Sequence, residues 1–255
     1  MADQWFGRWL KGEPTDADEW PPIQLFVMGA NTWRAENEWP LARTAYTTFY
    51  LHANGPANAA SGNGTLSREP PRDEPTDQYL YDPRDPVMTL FSADGQLEPI
   101  DQRALDGRQD ILSYATAPLE APVEVTGPIL VKLYASSSAR DTDFTAKLID
   151  VWPDGFAQEL CHGIVRARHR ESCENPSLIE SGRSYEFTIR VNPTSNRFRR
   201  GHRIRLDISS SDFPNFDRNH NTGADDYSDA ALKVAHQSIF HDASHPSHVI
   251  LPIVP

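Results

Sequence analysis

The sequence has little of what marks several large protein classes. No apolar run in its 255 residues approaches the ~18 that a membrane helix needs, so no membrane partner is expected. Basic residues are the minority, 24 Lys and Arg against 36 Asp and Glu, and the formal charge of -12 argues against a nucleic-acid partner. Only two cysteines occur, Cys161 and Cys173, too few for a disulfide framework. Cys161 is expected in a strand and Cys173 in the loop after it, as two free thiols in a reducing cytoplasm; one loop-closing bridge is the alternative. The opening MADQWFGRWLKGEP lacks the basic start, apolar middle and small-residue cleavage site of a secretory leader. There is no internal repeat and no coiled-coil heptad. G-x-S-x-G, the turn that exposes the serine of an α/β-hydrolase, is also missing.

What is present is strand pattern. Between Gly127 and Arg170, Ile129, Val131 and Leu133 alternate with Leu130, Lys132 and Tyr134, and Phe144, Ala146 and Leu148 alternate with Thr145, Lys147 and Ile149. A period of two with β-branched and aromatic residues predicts strands packed on at least one face. Ser136 to Asp143 and Pro153-Asp154-Gly155 supply the turns. Further strands are predicted over 23–28 (buried), 46–51, 111–116, 184–191, 204–209 and 248–254. With 21 Pro, 14 Gly and no β-α alternation, these elements predict an all-β sandwich or jelly roll. Two short helices are expected. One covers 3–11, with Trp5, Phe6, Trp9 and Leu10 on one stripe; the other covers 229–236. Residues 31–40 are expected to be a turn-rich connector, 53–64 a flexible surface loop, and 68–86 an extended arm broken by Gln78-Tyr79-Leu80-Tyr81.

Groups that could carry chemistry are few. Serines cluster at 136–138 and 209–211, at strand ends where a hydroxyl ordinarily bonds its own turn. None of the nine histidines has a serine partner by motif, so no catalytic residue is expected. His241, His245 and His248 lie close together but lack H-E-x-x-H or a Cys partner and are interrupted by Pro246. Asp217-x-Asn219-x-Asn221-x-Gly223, followed by Asp225 and Asp226, has the outline of a calcium loop. Its glycine is one place late, and Ser228 stands where the bidentate Glu belongs. No metal and no cofactor are expected, and these Asp and Asn side chains are read as turn formers, with structural calcium as the alternative. Asp141 and Asp143 are expected to pair with Arg166 or Arg168. Trp33, Trp39, Tyr79, Tyr81 and Trp152 could form a sugar platform, although Trp33 and Trp39 are expected to pack beneath the strand before them.

Several segments together resemble one family. They are PIQLFVMGANTWRAENEWPLA (22–42), YLYDPRDPV (79–87), DQRALDGRQDILSYATAPL (101–119), VEVTGPILVKLYASSSARDTDFTAKLIDVWPDG (123–155), GIVRARHRES (163–172), GHRIRLDISSSDFPNFDRN (201–219) and SHVILPI (247–253). Their order and content are similar to the C-terminal domain of the hydrolase family that includes bacterial cocaine esterase, α-amino-acid ester hydrolases and X-prolyl dipeptidyl-peptidases. The resemblance implies a jelly roll with a galactose-binding-like fold over 22–255. Residues 1–21 would be a helix and linker at the seam with an α/β-hydrolase domain carrying Ser, Asp and His. It implies a non-catalytic accessory domain that packs on that partner in cis or in trans through Trp5, Phe6, Trp9 and Leu10. The loop 88–101 matches in position the family segment near the acyl pocket, with Leu90 and Phe91 as candidate wall residues; closing one end of the sandwich is their alternative role. A stand-alone binding module for a ligand or sugar is the rival reading, and the apolar stripe of the first helix predicts a homo-oligomer where the partner is absent.

Overall fold

A computed structural model describes residues 1–58, 64–90, 100–225 and 227–255. Among the described residues one α-helix, α1 (Ala2–Lys11), precedes thirteen strands. The first two, β1 (Ile23–Val27) and β2 (Thr32–Glu36), form a separate antiparallel hairpin. The rest are β3 (Ala45–Ala53), β4 (Gly64–Ser67), β5 (Asp77–Tyr81), β6 (Leu112–Ala115), β7 (Val123–Ser137), β8 (Asp143–Val151), β9 (Ala157–Arg166), β10 (Tyr185–Phe198), β11 (Arg203–Ser209), β12 (Ala235–Ile239) and β13 (His248–Val254). They follow one hydrogen-bonded path, β5-β12-β7-β13-β3-β4-β6-β11-β8-β9, with β10 on the other edge of β7. Every pairing in that path is antiparallel except β4 with β6.

The alternation read from 127–170 sets the layers. Ile129, Val131 and Leu133 of β7 and Phe187 and Ile189 of β10 share one core with Phe144, Ala146 and Leu148 of β8 and Leu206 and Ile208 of β11. Phe144 and Phe187 meet across it with ring centroids 4.8 Å apart. The path therefore folds over so that β8 and β11 face β7 and β10, which is the predicted jelly-roll sandwich. Gly163 of β9 marks how near the two layers come: a Cβ there would lie 2.3 Å from the Arg190 carbonyl oxygen of β10. Cys161, in β9, is buried, and burial with nearby Glu159 pushes its thiol up to about 12; Cys173 is exposed, and both are free.

Several expectations need correction. β1 is not a fully buried strand, because only Val27 is buried and Phe26 is 41 % exposed. Residues 32–36 are a strand rather than a connector, and Trp33 lies beside Phe26 across the hairpin instead of beneath it. Trp33 and Trp39 are exposed. β10 runs seven residues past Val191, because a bulge between Val191 and Thr194 absorbs Pro193, which has no N–H for the ladder. The helix expected over 229–236 does not form. Ala235, Gln237 and Ile239 are buried with period two as β12 pairs with β5, so tertiary pairing overrides local helix preference. In the loop after β3, Ala57 is fully buried and its carbonyl accepts from the Ser113 amide, while 59–63 lie outside the described residues.

Phe144→Ala should lower unfolding free energy by about 3–5 kcal/mol in a urea titration, the usual cost of an aromatic truncation in a rigid core. An exposed control, Leu80→Ala, should cost far less.

Candidate functional site

The predicted helix stripe is present and open. α1 buries only Gly7, whereas Trp5, Phe6, Trp9 and Leu10 are 47, 51, 64 and 76 % exposed. Gly12, left-handed at φ 71°, ends the helix and returns its N–H to the Arg8 carbonyl. The 3-10 turn Asp16–Glu19 then folds back on α1. Gln4 Nε2 donates to Asp16 Oδ2 (2.7 Å), Thr15 Oγ1 donates to the Gln4 carbonyl (3.0 Å), and Arg8 pairs with Asp18. Gly7 leaves room for this, since a Cβ there would sit 3.2 Å from a Glu13 carboxylate oxygen. The result is an apolar groove of about 700 Å³ between Trp5, Phe6, Trp9 and the Trp20-Pro21-Pro22 segment. Fully covering each large side chain stabilises by roughly 1.5–3 kcal/mol, whereas an exposed pair such as Arg8–Asp18 contributes at most about 1. Burial, not charge, would dominate docking here.

The second candidate, the segment ending at Leu90, is built on a buried polar network. Phe213 N donates to the Val87 carbonyl (2.9 Å), Thr89 N donates to the Phe213 carbonyl (2.7 Å), and Val87 N donates to Ser211 Oγ (2.9 Å). Thr89 Oγ1 donates to Asp212 Oδ1 (2.8 Å), a carboxylate only 1 % exposed. Lys147 Nζ lies 2.9 Å from Asp212 Oδ1 and 3.2 Å from Glu159 Oε2, in geometry that favours ion pairing over directed hydrogen bonds. Asn215 Nδ2 donates to Asp212 Oδ2 and lies 3.0 Å from His162 Nε2. Met88 is exposed and Leu90 half-buried; Phe91 lies outside the described residues.

Strand register explains why these charges meet. Ser113, Asp207, Lys147 and His162 stand opposite one another across β6, β11, β8 and β9, one row on the sheet face away from the core. Asp207 accepts from Ser113 Oγ at 2.7 Å and is forked by Arg205 at 2.7 Å through both Nε and Nη2. Burial opposes the charges of Lys147, Asp212 and Glu159, but their neighbours more than offset it. The Lys147 ammonium is held above its ordinary value by Glu159 and Asp212. Asp212 is held below the carboxylate range chiefly by Lys147, and Glu159 by the His162 hydrogen bond and Lys147. That hydrogen bond from His162 to Glu159, 2.8 Å, raises the imidazole against partial burial. The row was not predicted; its one signal was a lysine inside the otherwise buried strand FTAKLIDV.

The remaining candidates resolve into structure. Ser137 Oγ accepts from the Ala139 amide, Ser138 Oγ from the His236 amide, and Ser209 Oγ donates to the Asp110 carbonyl. Ser210 bonds Tyr79. His241 is fully buried against Asp77 and Tyr114, His245 bonds Asp242, and His248 Nδ1 donates to the Pro246 carbonyl. Arg166 pairs with Asp143 and Arg168 with Asp141, as expected, and Asn219 donates to both carboxylates. Asn221 closes the next turn at φ 61°, while Asp226 lies outside the described residues. Among the described residues no three His, Cys, Asp or Glu side chains gather as metal ligands. Tyr79 and Tyr81 are buried and cannot form a sugar platform; Trp152 stays 37 % exposed.

One serine does approach a His and an acid. Ser67 Oγ lies 3.0 Å from His52 Nε2, and His52 Nδ1 lies 2.7 Å from Glu74 Oε1. The Glu69 carbonyl, which can only accept, is also 3.0 Å from Nε2. A ring nitrogen donating to that carbonyl has no lone pair for the serine proton, and Ser67 Oγ already accepts from the Glu69 amide in its own turn.

Comparison with known proteins agrees with this architecture. The family described as X-Pro dipeptidyl-peptidase C-terminal non-catalytic domain matches residues 15–250. A cocaine esterase of Rhodococcus sp. (strain MB1 Bresler) is 49 % identical over 260 residues, spanning 100 % of this chain and 45 % of the esterase. A solved aminopeptidase from a marine sediment Thaumarchaeota archaeon superposes with TM-score 0.86 at 29 % identity, covering 100 % of this chain and 43 % of that one. An α-amino acid ester hydrolase superposes with TM-score 0.82 at 28 % identity, covering 99 % and 44 %. The chain thus spans less than half the length of these relatives. No helix among the described residues is long and apolar enough to cross a membrane.

The polar network makes a signed prediction. Because the folded His162 pKa is raised, its contribution is full below about pH 6.5 and is lost as pH rises through the folded value. Asp212 and Glu159, lowered, contribute above about pH 4.5 and lose that contribution on acidification. Urea midpoints should fall as pH rises above about 6.5, and His162→Gln should flatten that fall; an unchanged slope in the variant would refute the assignment.

Proposed function

The chain belongs to the family of X-Pro dipeptidyl-peptidase C-terminal non-catalytic domains, and we propose that it serves a serine esterase or X-prolyl dipeptidyl-peptidase-like hydrolase by packing on an α/β-hydrolase domain and walling part of its active site. The supporting observation is coverage. The whole chain aligns with 45 % of a cocaine esterase, so the rest of that relative is a region without counterpart in these 255 residues. In this reading residues 1–21 form the seam and 22–255 the jelly-roll domain. Trp5, Phe6, Trp9 and Leu10 meet the partner domain, in cis or in trans, and Leu90 with Phe91 lines its acyl pocket. The open groove beside α1 supports the first assignment, and the anchoring of Thr89 to buried Asp212 supports the second. Two free thiols suit a cytoplasmic setting. A chain without its partner domain covers the α1 face by self-association.

Mixing this chain with the separately produced catalytic region of the Rhodococcus relative should give a complex on gel filtration. A serine-directed fluorophosphonate should label only the catalytic region; labelling of this chain overturns the non-catalytic reading. Trp5→Ala with Trp9→Ala should weaken the complex on the order of 100-fold, from roughly 1.5 kcal/mol per side chain. Sedimentation of the isolated chain should show association that the same double variant abolishes; a monomer at high concentration refutes self-association.

A further inference from the structure

A recess distinct from both docking surfaces lies where the β1–β2 hairpin leans on the end of the sandwich. Its volume is about 330 Å³, room for one ring-sized ligand. The hairpin wall is fixed. Met28 N donates to the Ser195 carbonyl and Arg197 N to the Met28 carbonyl, at 3.0 and 2.8 Å. Gly29, at φ 75°, lies so close to β10 that a Cβ would come within 2.2 Å of the Arg197 carbonyl oxygen. Arg199 donates twice to the Gly29 carbonyl, from Nε at 2.9 Å and Nη2 at 2.6 Å.

The floor is a buried pair. His202 Nδ1 lies 2.8 Å from Asp150 Oδ1, Asn196 Nδ2 donates to Asp150 Oδ2 at 3.3 Å, and these three residues are 6, 3 and 1 % exposed. Both carboxylate oxygens are thus engaged, while His202 lines the recess with its Nε2 making no hydrogen bond to any described residue. The carboxamides of Gln158 and Asn31 also line it and make no side-chain hydrogen bond to any described residue. Above them stand the exposed rings of Phe26 and Trp152, the latter steadied by Phe156 at 5.3 Å and His202 at 5.4 Å.

We propose that this recess binds a neutral, polyhydroxylated ring of monosaccharide size. The carboxylate of Asp150 and the guanidinium of Arg199 offset one another, so the lining gives no net charge with which to select an ion. Carboxamides both donate and accept, as hydroxyls do, and an imidazole nitrogen adds a third polar contact. The aromatic rings suit the apolar C–H face of a pyranose, which an extended polyol lacks. The site stands independently of the accessory-domain role.

Titration of the full chain with glucose, galactose and mannose, followed by ¹H–¹⁵N NMR, tests it. The Trp152 indole N–H and the amides of Gly29 and Asn31 should shift saturably for at least one sugar. A dissociation constant on the order of 1–10 mM suits a ligand of about a dozen heavy atoms. Gln158→Ala, which breaks no side-chain hydrogen bond to a described residue, should weaken binding about tenfold without moving the thermal midpoint. Failure of all three sugars to saturate, an unchanged affinity in Gln158→Ala, or stronger binding of sodium acetate than of any sugar overturns the proposal.

Discussion

The ion pair between Lys147 and Asp212 is the constraint on which the outer half of the domain depends. β8 is buried on both faces, so one side of the strand packs into the core while the other must hold an ammonium away from water. Desolvating a lone charge costs several kcal/mol, and removing one partner of a buried pair typically costs about 3–5 kcal/mol. Asp212 and Glu159 meet that demand together. Since Asp212 also holds Thr89 and Asn215, the same carboxylate that neutralises the strand fixes the segment leading to Leu90. Core register and surface geometry are therefore one problem here, solved by one row of side chains.

One end of the same strands uses the same device. Asp141 and Asp143 sit at the turn into β8, and the arginines around the end of β9 pair with them, while Asn219 reaches both carboxylates from a long loop. Burial raises Asp143, and Arg166 and Asn219 work against that rise. An acidic protein thus spends several of its arginines inward, fastening loops to strand ends. Such fasteners tie the long loop that carries Asn219 to the strand ends it crosses.

Most of the layering was legible in the sequence, because alternation with period two survives in β7, β8, β11 and β13. The Asp–Arg pairing was legible for a similar reason: the residues flank consecutive strands whose register is short-range. What could not be read depends on distant partners. Ala235–Ile239 carries a local pattern compatible with a helix and becomes a strand only beside β5. Trp33 looked like core by composition, yet a two-stranded hairpin has only one face to bury. The row from Ser113 to His162 joins four strands in the order β6, β11, β8, β9, and nothing in linear spacing reveals that order. The α1 stripe, by contrast, was visible from spacing alone.

The contrast between the two cysteines has a practical side. Cys161 is sealed in β9 with its thiol raised to about 12, so at neutral pH it holds almost no thiolate. Cys173 lies exposed in the loop beyond β9. A maleimide dye or spin label would therefore report from one known point on native protein, without mutagenesis. Distances measured from that point to a mark on a partner would give the orientation in which the two come together.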